Sequence, residues 1–208
     1  MHRLVAVFLL TLGGIVAQAE PFPALYDVRG VADDDVLFIR EAPSSAGAII
    51  DRFRPEETGI EVVRAQGNWA RVRVGESMGW ASLRFLVRQQ GQGLSEVPPE
   101  LFCGGTEPFW TLDIERDKGG AYPGEFLYPG VFEGPQRVHL EALRPAPNDL
   151  RQLGGFGVRG PSGDPFTLGI KRQLCSDGMS DIEYGFTALV IARFGEAMQA
   201  LGGCCSLR

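Results

Sequence analysis

The chain has 208 residues, with 20 basic against 26 acidic side chains and a net charge of −6, a balance that excludes nucleic acid or an anionic membrane as an electrostatically held partner. Its two histidines are His2 and His139, so once an N-terminal leader is removed no multi-histidine metal centre is possible in a monomer. The four cysteines, Cys103, Cys175, Cys204 and Cys205, all fall in the second half, and an even set in an exported chain predicts disulfides rather than catalytic thiols.

The N-terminus reads as an export signal. Arg3 supplies a positive start, Leu4 to Val16 form an apolar stretch, and Ala17-Gln18-Ala19 gives a small-x-small cleavage pattern before Glu20. The apolar stretch is shorter than the roughly 20 residues a bilayer span needs, and no cysteine follows the cleavage site to carry a lipid. Residues 1–19 are therefore expected to be a signal peptide, leaving a periplasmic or secreted protein without a stable membrane anchor. Cleavage removes one basic residue and leaves 19 against 26 acidic, a charge of −7 on a chain long enough for one or two small domains. Two is the better fit.

Residues 20–87 form the first domain. Short alternating runs bounded by turn residues predict strands at Val36–Arg40, Ile49–Phe53, Ile60–Val63, Trp69–Val74 and Met78–Ala81, with no helical stripe. Five short strands in so few residues predict a small barrel. Trp69 and Trp80 are placed where two aromatic side chains would meet across it, and Gly79 permits a turn or a close backbone approach beside Trp80.

Three segments carry a resemblance. Leu37 to Pro43, Gly67-Asn68-Trp69-Ala70-Arg71-Val72 and Gly79-Trp80-Ala81 are similar to the aliphatic-Asn-Val-Arg, Gly-x-Trp-x-x-Val and Gly-Trp-Val segments of the bacterial SH3-like domain found in many envelope proteins. The chain departs from that pattern at Phe38, where the family has Asn, and at Glu41-Ala42, where it has a small pair. The resemblance implies binding of peptidoglycan or peptide. Tyr26, Arg40, Trp69, Arg71 and Trp80 are the candidates to line a shallow groove for it.

Residues 88–101 read as a linker. Gln89-Gln90-Gly91-Gln92-Gly93 is the flexible part, and Val97-Pro98-Pro99 the stiff part. The cysteine-bearing domain, residues 102–208, is again mainly β, with strands predicted at Phe109–Glu115, Arg137–Leu143, Phe166–Lys171 and Tyr184–Arg193 and one short helix at Glu196–Leu201. Val138, Leu140 and Ala142 alternate with polar neighbours, so His139 points off the apolar face, as a solvated strand histidine. Pro108 favours an extended Glu107, and Asp177-Gly178 is a strong turn signal. Glu107 is read either as a structural cap of the facing loop or as a ligand-binding or catalytic carboxylate. Asp177 lies in an acidic loop whose spacing falls short of a calcium motif. No metal or other cofactor is implied.

Cys103-Gly104-Gly105-Thr106-Glu107-Pro108-Phe109-Trp110 and Cys175-Ser176-Asp177-Gly178-Met179-Ser180 resemble the marker segments of a family of small exported bacterial β-barrel domains without a settled activity, which also ends in Gly-Cys. That resemblance favours a Cys175–Cys204 disulfide and leaves Cys103 to pair with Cys205. A vicinal Cys204–Cys205 redox pair is the alternative.

The sequence thus predicts an all-β exported protein: an SH3-like small barrel followed by a disulfide-stapled barrel-like domain. The first reading of its function is a non-enzymatic envelope protein whose first module docks on peptidoglycan or an envelope protein, while the second binds a further ligand or inhibits an enzyme. Other readings are a cell-wall enzyme using Glu107 or Asp177 as acid or base, and an envelope interaction scaffold.

Overall fold

The structure is a computed structural model that describes residues 21–208; the expected signal segment 1–19 and its cleavage site lie outside the described residues. It is almost entirely β, with a single short 3-10 turn at Leu83–Phe85. Strands β1 (Ala24–Val28), β2 (Leu37–Arg40), β3 (Ile49–Phe53), β4 (Ile60–Gln66), β5 (Trp69–Val74), β6 (Ser77–Ser82) and β7 (Leu86–Arg88) form one sheet in the order β3-β2-β6-β5-β4-β1-β7. Its hydrogen bonding runs in that order from β3 to β7. All seven strands feed one core, from Val28, Leu37, Phe53, Val62, Val72, Ala81 and Leu86, so the sheet wraps around its inner face.

The second half closes fully. Strands β8 (Glu100–Thr106), β9 (Phe109–Glu115), β10 (Tyr122–Leu127), β11 (Gln136–Ala146), β12 (Asp149–Arg159), β13 (Asp164–Ser176), β14 (Glu183–Phe194) and β15 (Ala197–Leu207) make an eight-stranded antiparallel barrel, in which β15 returns to pair with β8 and β9 pairs with β10. Eight strands leave an interior that side chains can fill. Trp110, Tyr122, Phe126, Phe166, Phe186, Leu112 and Leu168 fill it, with Phe126 in contact with the rings of Trp110, Tyr128, Phe166 and Phe194. The barrel interior is therefore a packed core.

Two disulfides staple it, Cys103–Cys205 and Cys175–Cys204, the pairing that the resemblance favoured. Successive strand residues point to opposite faces, so Cys204 and Cys205 serve different faces. Cys205 joins the barrel core and bonds Cys103, its cross-strand partner at the β15–β8 closure. Cys204 bonds Cys175 of β13, spanning β14. No cysteine is free among the described residues, and the vicinal pairing is excluded in this structure. Two disulfides indicate an oxidising, exported compartment; no helix of the described residues is long and apolar enough to cross a membrane.

One expectation is corrected outright. Glu196–Leu201 is not helical: Gly195 and Glu196 form the turn of a hairpin, and Ala197 onward is strand β15. Ala, Met, Gln and Leu favour helices, but closing the barrel requires a strand there, and tertiary pairing overrides local propensity. His139 is exposed on β11, as expected. A bulge between Leu140 and Ala142 shifts the inward position from Ala142 to Leu143.

The linker is bound along its length. The Gln92 side chain accepts from Leu25 N (2.7 Å) and donates to Leu25 O (2.9 Å), mimicking one more strand partner for β1. Arg172, 8 % exposed, donates to Pro23 O (2.9 Å) and reaches Gly93 O and Glu96 O (3.5 Å each), its guanidinium lying over Phe186. Burial, with the neighbouring Arg88 charge, lowers the pKa of Arg172. One barrel arginine thus pins the chain entry and the linker together.

The outer face of β4, β5 and β6 packs on the barrel. Val63 and Met78 meet Ile182 and Tyr184. Arg64 (2.7 and 3.1 Å) and Arg71 (2.7 Å) both donate to the Glu183 carboxylate, and both guanidiniums lie over the Trp80 ring, at 4.7 and 5.2 Å from its centroid. The Arg64 side-chain hydrogen bond, outweighing partial burial and joined by Arg71, lowers the pKa of Glu183.

Beside this clamp, Glu61 accepts a hydrogen bond from Leu207 N (3.0 Å), tying β4 to the last barrel strand. Burial raises the Glu61 carboxyl from 4.5 to about 7, against the opposing pull of the Leu207 amide and the Arg73 charge. The folded chain thus holds a proton that the unfolded chain has released across this window. Stability falls as pH rises from about 4.5 to about 7 and levels off above it. At about 1.4 kcal/mol per pKa unit, the loss is at most roughly 3–4 kcal/mol, and less where solvent reaches the carboxyl. Glu61→Gln should flatten that slope in urea denaturation at pH 5 and pH 8; a slope equal to that of the wild type would assign the pH dependence to other groups.

Candidate functional site

Both marker segments of the second domain converge on one cleft. It has a volume of about 380 Å³ and lies outside the barrel, where β8, β9 and β15 meet the loop between β13 and β14. Phe102, Gly104 and Gly105 of β8, Phe109 and Trp110 of β9, and Cys204 of β15 supply much of the wall, with Asp177 and Tyr184 arriving from the loop and the start of β14.

The glycines are a steric requirement of Trp110. A Cβ at Gly105 would overlap Trp110 Nε1 and Gly202 O, and one at Gly203 would overlap Trp110 Cζ2 and Gly104 O. With those positions bare, the indole lies 1 % exposed beneath the cleft and its Nε1 donates to Gly202 O at 3.0 Å. The neighbouring Phe109, on the opposite face of the same strand, is 58 % exposed and forms part of the wall.

Asp177 organises the loop. Its Oδ1 accepts from Met179 N (3.0 Å) and Ser180 N (2.9 Å), and its Oδ2 from the Ser180 (2.8 Å) and Tyr184 (3.3 Å) hydroxyls. The Thr106 hydroxyl donates to Asp177 O at 2.7 Å, fastening the loop to β8. Partial burial pushes the Asp177 carboxyl up, but the Ser180 and Met179 amides and the two hydroxyls outweigh it and hold the carboxyl below the ordinary aspartate value. Burial, followed by the Asp177 charge, raises the pKa of Tyr184, so its hydroxyl keeps its proton.

Asp177→Ala should cost about 1–2 kcal/mol at neutral pH, because it strips two amides and two hydroxyls of their acceptor. The depressed carboxyl makes this contribution present above the unfolded-state value of 3.8 and lost as pH falls through the lower folded value. Denaturation of wild type and variant at pH 7 and pH 3 checks it. A difference as large at pH 3 as at pH 7 would show that ionisation of Asp177 plays no part.

The groove expected on the first domain is not assembled. Tyr26 is 6 % exposed in the sheet core. Trp80 is 5 % exposed and covered by Arg64 and Arg71, and Arg71 is spent on Glu183, so both belong to the contact with the barrel. Trp69 is half-buried and pairs with Ser82, while Trp80 pairs with Arg71, so the two indoles do not face each other across the sheet. Arg40 is turned to Gly47 O at 2.7 Å.

Glu107 is likewise not buried against donors: it is exposed at the tip of the β8–β9 hairpin, in a two-residue turn with Pro108. Among the described residues, no cluster of three or more His, Cys, Asp or Glu is arranged to hold a metal.

Sequence reasoning missed Phe102, Tyr184 and Glu183 as working residues. Tyr184 was legible as the first aromatic after the Asp177 turn. Glu183 carried no local signal, because its partners Arg64 and Arg71 are more than a hundred positions away.

In comparisons with known proteins no family model matches the chain, and neither a curated protein nor a solved structure does.

Proposed function

We propose that this is an exported, periplasmic or secreted cell-envelope binding protein without catalytic activity, whose ligand is taken by the cleft on the stapled barrel. The observation that carries this reading is the convergence of both marker segments on one largely apolar cleft whose carboxylate, Asp177, is saturated by four donors. Small-ligand sites have this composition: an apolar wall and a few fixed polar atoms. A general acid or base needs a carboxyl free to exchange its proton with substrate. Asp177 is held as a loop organiser, and Glu107 stands in solvent at a hairpin tip. The SH3-like resemblance of the first domain supports peptidoglycan or an envelope protein as the partner. The burial of Tyr26 and Trp80 and the pairing of Arg71 with Glu183 move the docking role away from the expected groove and toward surfaces shared with the barrel.

Co-sedimentation of the whole oxidised protein with purified sacculi tests it, with soluble muropeptides measured in the supernatant. Retention without release is the expected result. Release by the wild type that is lost in Glu107→Gln or Asp177→Asn would establish an enzyme instead. Absence of retention would turn the search to envelope proteins, by cross-linking in cells.

A further inference from the structure

We propose that the barrel cleft selects an organic ammonium group carried on an apolar body. This rests on the reading of the cleft as the ligand site and adds the charge and chemistry of its occupant.

The polar atoms of the cleft are biased toward accepting. The Tyr184 hydroxyl donates to Asp177 Oδ2 and the Thr106 hydroxyl to Asp177 O, so each has given its one proton and presents only lone pairs. Trp110 Nε1, the one ring N–H in the wall, is taken by Gly202 O. The Thr111 hydroxyl is the remaining side-chain donor of the lining. A ligand therefore has to bring the hydrogen-bond donors.

The charged side chain of the cleft wall is a carboxylate. Among the described residues Asp177 is the one carboxylate in the wall, and no lysine, arginine or histidine of these residues lines it. Two arginines reach its edge and have partners of their own: Arg208 stacks on Phe102 and pairs with Asp113, and Arg73, whose charge reaches Tyr184, donates to Gly75 O. The rings of Phe109, 58 % exposed, and Tyr184 add the negative potential of their faces. Phe102 already carries one guanidinium, 4.2 Å from its centroid. Acceptors, a carboxylate and aromatic faces together complement a cation that donates hydrogen bonds, and they oppose a carboxylate or phosphate. The net charge of the chain acts in the same direction over longer range.

The test uses the whole disulfide-bonded protein and three near-isosteric probes, 2-phenylethylammonium, 2-phenylethanol and 3-phenylpropionate, titrated at pH 7 by NMR. Nα-acetyl-lysine methylamide serves as a fourth probe, to distinguish an amino-bearing side chain from a free aromatic amine as the source. The ammonium is expected to bind about tenfold more tightly than the alcohol, with the propionate weaker still, and to lose most of that advantage as salt is raised.

Asp177→Asn should bring amine and alcohol toward parity. Because that variant can loosen its loop, the salt titration of the wild type stands as an independent measure. Binding of the alcohol as tightly as the amine, or preference for the propionate, would overturn the charge selection and leave the cleft as a ligand site. If none of the four probes shifts resonances of cleft residues, both the selection and the cleft reading fall.

Discussion

Opening both disulfides should cost the barrel most of its stability. In the chain-entropy account, a cross-link stabilises by restricting the unfolded chain, by roughly 3–5 kcal/mol for loops of these lengths, against a total of about 5–15 kcal/mol for a typical domain. Cys103–Cys205 spans 102 positions and Cys175–Cys204 spans 29. Replacing the first pair by Ala should therefore be costlier than replacing the second, by about 1 kcal/mol from loop length alone. Urea unfolding of the oxidised protein, the two paired variants and the reduced protein gives the comparison. Equal midpoints for oxidised and reduced protein would mean that core and strand pairing alone hold the barrel closed.

Trp110→Ala should destabilise by about 3–5 kcal/mol, the range for removing a buried Trp or Phe side chain. The ring is 1 % exposed and touches Phe126, and the bare positions Gly105 and Gly203 beside it supply no atoms to fill the space it leaves. Trp110→Phe separates volume from hydrogen bonding. It keeps an aromatic body but leaves Gly202 O without its indole donor, a loss of about 1 kcal/mol. Thermal denaturation of the two variants should rank wild type above Trp110→Phe above Trp110→Ala. A Trp110→Ala variant as stable as the wild type would show that the cleft floor does not depend on the indole.

Three strands were legible from the sequence: Ile49–Phe53, Trp69–Val74 and Phe109–Glu115 have the predicted bounds. Several that escaped are glycine-rich or short. Strand β12 contains Gly154, Gly155 and Gly157, residues that weaken any strand pattern. Two of them are needed because a Cβ at Gly157 would overlap His139 O of β11 and one at Gly155 would crowd Ala142 O. Strand β7 has three residues, too few to show a period. The cleft was half legible, since its two marker segments stood out but their meeting through Thr106 and Asp177 is a tertiary fact. Trp80 and Arg71 stood out in the sequence as candidates for a ligand groove. In the structure Arg71 covers Trp80 and pairs with Glu183 of the same chain, which no local pattern could reveal.

The adjacent cysteines of β15 also bear on how the barrel reaches its one pairing. Sliding β15 by a single position would exchange its two faces, bringing Cys204 to the inner wall beside Cys103 and turning Cys205 toward Cys175. Each misaligned closure thus carries its own cross-link pattern, and only the aligned one places Cys205 opposite Cys103. Once both bonds have formed, the last strand is a bolt shot through two keepers: it cannot shift along its neighbours by one residue without first being unlocked.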